Sequence, residues 1–142
     1  MQHDITNKNV LITGAGGSIG SEICRKVYSL NPKKLLLLDH SEIALYTILE
    51  ELKKLSKPSD KPVEIIAHLG SVIDKIFVQN ILKEIKPETI YHSAAYKHVP
   101  LIEDNKFQGL KTNAFGTLIL AQSAIINDVK KFVFISSDKA VR

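Results

Sequence analysis

The stretch Val10-Leu11-Ile12-Thr13-Gly14-Ala15-Gly16-Gly17-Ser18-Ile19-Gly20 constrains the fold more than any other part of the chain. An apolar run of strand length passes into a cluster of glycines. Helical spacing begins directly after it, at Ile19, Ile23, Val27 and Leu30. A strand, a glycine turn and the first turn of a helix form a cradle for phosphate: the first N–H groups of a helix have no partners within it, and its dipole favours an anion there. Gly14 is expected to allow the tight turn off the strand. Gly17 lets a pyrophosphate approach the backbone, and Gly20 lets the helix lie close on the sheet. Gly16, Ser18 and Ile19 complete the expected phosphate-binding turn. The alternative is a bare structural turn. The strand before, the helix after and an acid, Asp39, at the end of the next apolar run argue for nucleotide binding.

The same alternation continues along the chain. Lys8 to Thr13 reads as the first strand and Ser18 to Leu30 as the first helix, stopped by Asn31-Pro32. Leu35-Leu36-Leu37-Leu38 is a continuous apolar run, as expected for a parallel strand covered on both faces. Ile43, Tyr46, Leu49, Leu52 and Leu55 mark the apolar face of a second helix, and Lys57 to Pro62 is a polar connector. Val63 to His68 is a third strand. Val72, Ile76, Ile81 and Ile85 line a third helix, closed by Lys86-Pro87. Thr89 to His92 is a fourth strand. Asn105 to Asn127 is a long helix with Leu110, Ala114, Leu118, Ala121 and Ile125 on one face, and Lys131 to Ile135 is a fifth strand. The expected fold is α/β: a doubly wound parallel sheet (Rossmann fold) of at least five strands in the order 3-2-1-4-5, forming one nucleotide-binding domain over residues 1–142. Right-handed crossovers bring the strand tips to one edge.

Composition excludes several classes. Hydrophobic residues make up 44% and charged residues 24%, the balance of an ordinary soluble globular chain. No apolar run approaches the roughly 20 residues of a membrane span. Met1-Gln2-His3-Asp4 lacks the basic start and apolar block of a signal peptide, so a cytoplasmic location is expected. The single cysteine, Cys24, sits among apolar helix positions and reads as a buried, inert thiol. The net charge of +4 comes from lysines that fall mostly at helix ends, with no stripe interleaved with aromatics. Nucleic acid is therefore not an expected partner, whereas an anionic small molecule is. His68, His92 and His98 lack metal-ligand spacing and no second cysteine joins them, so no metal is expected.

The remaining candidate residues lie at the strand tips. Asp39 is placed to accept hydrogen bonds from adenosine ribose hydroxyls and to repel a 2′-phosphate, which favours NAD over NADP. Its alternative role is a helix cap before Ser41-Glu42. His40 and Ser41 either help hold the ribose or form surface loop. Ser71 and Val72 lie where an adenine would sit. Small residues at Ser93, Ala94 and Ala95 let a cofactor pass close to the fourth strand, and Lys97 follows in a polar loop at the same edge. Asn113, polar among core neighbours, is expected to hydrogen-bond a backbone group and is counted with the cofactor-facing set. Ser136 ends the fifth strand on that edge.

These residues together resemble the extended short-chain dehydrogenase/reductase family. Within it the chain is similar to the nucleotide-sugar 4,6-dehydratases of bacterial capsular and surface polysaccharide biosynthesis, of the UDP-N-acetylglucosamine type. The matching stretches are Leu11 to Glu22, Leu37 to Ile43, Ile90 to Asn105, Lys111 to Thr117 and Phe132 to Arg142. Ala94-Ala95-Tyr96-Lys97-His98-Val99-Pro100-Leu101, together with Ser137-Asp138-Lys139-Ala140-Val141, is specific to this subgroup; epimerases of the same fold usually lack the Asp-Lys pair. Two residues depart from the family pattern: Ser71 stands where Asp is common, and Ser137 where Thr is common. The Tyr (or Met) and Lys of the next helix, and the sugar-binding region after it, are not in this sequence. The expectation is thus an N-terminal fragment holding the cofactor half.

The resemblance implies that the intact enzyme oxidises the sugar C4 hydroxyl by hydride transfer to NAD, loses water across C5 and C6, and returns the hydride to C6. Asp138 matches the acid that protonates the departing 6-hydroxyl, Lys139 the base at C5, and Ser137 the group that hydrogen-bonds the C4 oxygen. Lys97 either faces the nicotinamide or sugar or is an ordinary loop lysine. A UDP-sugar substrate and a homo-oligomer are expected, with membrane contact only through a region absent from this chain. Two other readings stand beside this one: a nucleotide-sugar epimerase and an inactive nucleotide-binding module.

Overall fold

The computed structural model describes residues 1–56, 58, 61–93 and 106–135, without the side chains of 106–112. Five parallel strands form one sheet: β1 (Asn9–Thr13), β2 (Lys34–Asp39), β3 (Glu64–Leu69), β4 (Thr89–His92) and β5 (Lys131–Phe134). Their order is β3-β2-β1-β4-β5, as the sequence pattern predicts. Val10 pairs with Leu35 on one side and Thr89 on the other, so β1 is the central strand and its tip lies mid-rim.

Alternation of side chains across the strands builds two cores. Val10 and Ile12 of β1 join Leu35 and Leu37 of β2 beneath α1 (Ser18–Ser29) and α2 (Glu42–Lys54), with Cys24, Val27, Leu45, Ile48 and Leu52. Leu11, Leu36 and Leu38 point to the other face, where α3 (Lys75–Ile85) and α4 (Lys106–Ile126) supply Val78, Ile81, Leu82, Ile85, Leu120 and Ala124. Coverage on both faces explains why the unbroken apolar run of β2 is fully buried. Asn31 and Lys86 adopt left-handed φ values of 53° and 49°, each immediately before a proline that bars further helix.

Three helix faces differ from the sequence expectation. α2 buries Leu45, Ile48 and Leu52, and leaves Ile43 81% and Tyr46 63% exposed. α3 buries Val78, Ile81, Leu82 and Ile85, leaves Ile76 72% exposed, and begins after Val72. α4 buries Leu120, Ser123 and Ala124, while Leu118 and Ile125 face outward. Each helix carries apolar residues on more than one stripe, so helical spacing alone leaves several faces open. The sheet's own side chains make the choice. Boundaries shift by a residue or two: α1 stops at Ser29, β3 runs to Leu69 and β5 stops at Phe134. A 3₁₀ turn, Gln2–Asp4, precedes β1.

Candidate functional site

The turn from β1 into α1 is built by glycine sterics. Gly14 has φ 65°, a left-handed conformation that a side chain disfavours. The turn is pinned by Ala15 N–H to the Leu38 carbonyl (3.1 Å) and Gly17 N–H to the Gly14 carbonyl (3.1 Å). A Cβ on Gly20 would overlap the Gly14 carbonyl oxygen and lie 2.9 Å from Ser93 Oγ, so α1 docks on the strand tips only without one. Gly17 differs. A Cβ there would meet only the Gly14 oxygen, at 3.3 Å, and otherwise open space. Gly17 is also the N-cap of α1 and offers no side chain to that helix end. Gly16 serves a third purpose. A Cβ on it would lie 2.5 Å from the Ala44 Cβ, so its bareness seats the turn against α2. Spacing alone could not reveal that contact, because Ala44 is distant in sequence.

Asp39 ends β2 and is only 6% exposed. A carboxylate so buried needs hydrogen bonds, and it has them. Oδ2 accepts from Gly16 N–H at 2.8 Å and Oδ1 from Ser41 N–H at 2.9 Å. Its carbonyl accepts from Gly70 N–H at 2.9 Å. Asp39 therefore joins the glycine turn, the start of α2 and the tip of β3. The cap of α2 is Ser41, whose Oγ accepts from Ala44 N–H at 3.3 Å, and not Asp39. His40 is exposed, with Nδ1 3.7 Å from Asp39 Oδ1.

Ser71 opens the turn into α3; its carbonyl accepts from Asp74 N–H at 3.1 Å. Val72 packs against α4 so closely that a Cβ on Gly116 would lie 2.7 Å from Val72 Cγ2. Ser93 Oγ donates to the Thr13 carbonyl at 2.8 Å. Asn113 is half-buried on α4, one turn before Thr117. Cys24 Sγ lies 3.7 Å from the Ala15 carbonyl, and burial pushes its thiol up to about 12, which keeps it protonated and inert. Ala94, Ala95, Lys97, His98, Ser136, Ser137, Asp138 and Lys139 lie outside the described residues.

The sequence pattern gives His92 no role, yet it ends β4 directly beside the tip of the central strand. It is fully buried, with Nδ1 2.6 Å from Thr13 Oγ1 and Nε2 2.9 Å from Thr117 Oγ1. Phe132 and Phe134 lie beside the ring, at centroid distances of 6.1 and 5.6 Å. Burial lowers its pKa to about 4, so the ring is neutral at physiological pH. The one signal in the sequence is a histidine ending a buried strand.

The residues present fit a dinucleotide: an uncapped helix start, an open approach at Gly17 and a carboxylate at the neighbouring strand tip. Strand order and glycine turn together define a doubly wound domain of Rossmann type. The fold is shared with a solved UDP-glucose-4-epimerase from Stenotrophomonas maltophila, which holds NAD and formylated UDP-arabinopyranose. The TM-score is 0.79 at 21% identity, over 93% of this chain and 38% of that one. The chain belongs to the polysaccharide biosynthesis protein family, whose pattern it matches over residues 10–142. It is 45% identical over 141 residues to the capsular polysaccharide biosynthesis protein CapD of Staphylococcus aureus, covering 99% of this chain and 23% of CapD. It is 33% identical over 136 residues to the UDP-N-acetylglucosamine 4,6-dehydratase (inverting) of Campylobacter jejuni, covering 94% of this chain and 37% of that enzyme. Its relatives thus include a capsular polysaccharide biosynthesis protein, nucleotide-sugar dehydratases and UDP-glucose 4-epimerases. Among the described residues no helix is long and apolar enough to cross a membrane.

Proposed function

We propose that this chain is the cofactor-binding part of an NAD-dependent nucleotide-sugar 4,6-dehydratase acting on UDP-N-acetylglucosamine. The observation that carries the proposal is the junction of the open Gly17 turn with the buried Asp39 carboxylate, linked through the Gly16 amide. The amides opening α1 face the pyrophosphate. Asp39 receives the ribose hydroxyls and disfavours a 2′-phosphate. Ser71, Val72, Ser93, Ala94, Ala95, Lys97, Asn113 and Ser136 line the remainder, with His40 and Ser41 beside the ribose. When bound, NAD supplies a hydride acceptor for the sugar's C4 and a hydride donor for C6.

The chemistry on this chain falls to Ser137, Asp138 and Lys139, by their match to the dehydratase motif. Ser137 hydrogen-bonds the C4 oxygen. Asp138 gives a proton to the departing 6-hydroxyl, and Lys139 takes the proton from C5. A lysine base must be neutral, so its pKa has to fall well below the free value of about 10.4. The likeness to a named 4,6-dehydratase supports this reading. The likeness to UDP-glucose 4-epimerases favours the second one, an epimerase of the same fold.

Incubation of a full-length form with UDP-N-acetylglucosamine separates the readings. A 4-keto-6-deoxy sugar supports the dehydratase, a C4 epimer supports the epimerase, and no turnover supports a binding module. For the cofactor, Asp39→Ala weakens NAD binding measured by calorimetry; unchanged affinity removes Asp39 from the site.

A further inference from the structure

His92 plays no part in the chemistry proposed above, yet the fold gives it an exceptional position. Both ring nitrogens are engaged, each with a threonine hydroxyl from a different element: Thr13, the last residue of β1, and Thr117 on α4. A neutral imidazole has one N–H and one lone pair, so one hydroxyl donates to the ring and the other accepts from it. The chain of two hydrogen bonds is therefore directional, and it spans three elements through one buried ring.

Each end of that chain leads to a part of the rim. Thr13 precedes Gly14, and its carbonyl receives both the N–H and the hydroxyl of Ser93. Gly20 of α1 packs between the Gly14 carbonyl and Ser93 Oγ, with no room for a Cβ. At the other end, Thr117 follows Gly116, which sits on Val72 in the turn between β3 and α3. Moving α4 along or about its axis would shift that turn and break the bond to His92 together.

We infer that His92 is a positioning residue. Through Thr13 and Thr117 it locks the glycine turn, the tip of β4, α4 and the turn before α3 into one rigid rim. The consequence for ligand binding rests on the reading that this rim holds a dinucleotide. Locking it in advance spares the ordering cost of binding.

Thr117→Val keeps the side chain's shape, removes its hydroxyl and leaves His92 Nε2 unsatisfied. Thr117→Ser keeps the hydroxyl. Leu52→Ala, fully buried in the last turn of α2 on the other face of the sheet, is the control for plain loss of stability. Amide hydrogen exchange at Ala15 and Ser93 is read in the ligand-free chain, with each variant corrected for its own global stability. Thr117→Val is expected to speed exchange at both amides about tenfold, with Thr117→Ser close to wild type and Leu52→Ala unchanged after correction. NAD affinity is expected to fall about tenfold in Thr117→Val alone. Exchange in Thr117→Val that matches the control overturns the lock. A wild-type chain that takes up no NAD overturns the function proposed above and not the lock, because exchange is read without ligand.

Discussion

The turn after β1 and the helix α4 meet the same sheet edge but are held there by different kinds of contact. The turn is shaped by its own backbone: Gly14 takes the left-handed conformation, Gly17 donates to the Gly14 carbonyl and Gly20 seats directly on Gly14, while Ala15 and Gly16 tie it to Leu38 and Asp39 of β2. α4 is apolar around most of its circumference. It buries Leu120 and Ala124 yet leaves Phe115, Leu118, Ile125 and Ile126 between 49% and 78% exposed. Its rotation is set by a few distant partners, namely Val72 against Gly116, His92 against Thr117 and the sheet beneath Leu120. Local sterics set the shape of the turn, while its seat on the rim is tied to Leu38, Asp39 and, through Thr13, His92. A helix without a single apolar stripe depends on its surroundings.

The largest expected effect breaks the turn from within. Gly20→Ala drives a Cβ into the Gly14 carbonyl, where backbone and not a flexible side chain must move. A loss of at least about 3 kcal/mol is expected in denaturant unfolding. A mild loss would mean that α1 can slide on the sheet, and the turn would be no more rigid than α4.

The next tests the face of α4. Leu120→Ala removes a fully buried side chain and is expected to cost about 2–5 kcal/mol. Leu118→Ala, half exposed, is expected to cost under about 1 kcal/mol. Equal costs, measured by chemical denaturation, would show the helix rotated from the orientation described.

The link between the two regions is sensitive to acid. The folded-state pKa of His92, about 4, lies below its ordinary value of 6.5. Between these values the unfolded chain binds a proton that the folded chain refuses, so stability rises with pH across this window and is lost as pH falls through it. The loss amounts to up to about 3 kcal/mol. Unfolding curves at pH 7 and pH 4 measure it, and His92→Gln should flatten the dependence over this range.

The smallest expected stability effect sharpens the contrast within the turn itself. Gly17→Ala costs about 1 kcal/mol or less, since the methyl meets only the Gly14 oxygen and alanine is a poorer N-cap than glycine. The same methyl stands where a pyrophosphate would approach, so calorimetry should register a loss of NAD affinity. Large destabilisation with intact affinity would reverse the roles given to Gly17 and Gly20.

The same division governs what is legible in the sequence. Strand order and the placing of Gly14 and Gly20 follow from short-range rules, because a glycine cluster between an apolar run and helical spacing has few folded solutions. The buried faces of α2, α3 and α4 do not follow. Ile43 and Tyr46 keep helical spacing with Leu49 just as Leu45 does with Ile48 and Leu52, and only the underlying sheet distinguishes the stripes. Gly16 against Ala44 and His92 between Thr13 and Thr117 are hidden for the same reason: each is a contact between residues far apart in sequence. The sequence marks Asp39 as a candidate at the tip of β2, whereas its bonds to Gly16 and Ser41 require the fold.

The central claim is that the amides opening α1 hold a dinucleotide. The most direct measurement follows backbone amide resonances while NAD is added to the chain. The largest changes are expected on residues 14–20 and on Asp39 and Gly70 around them. Saturation without change there, or changes confined to the outer faces of α2 and α3, would contradict that claim.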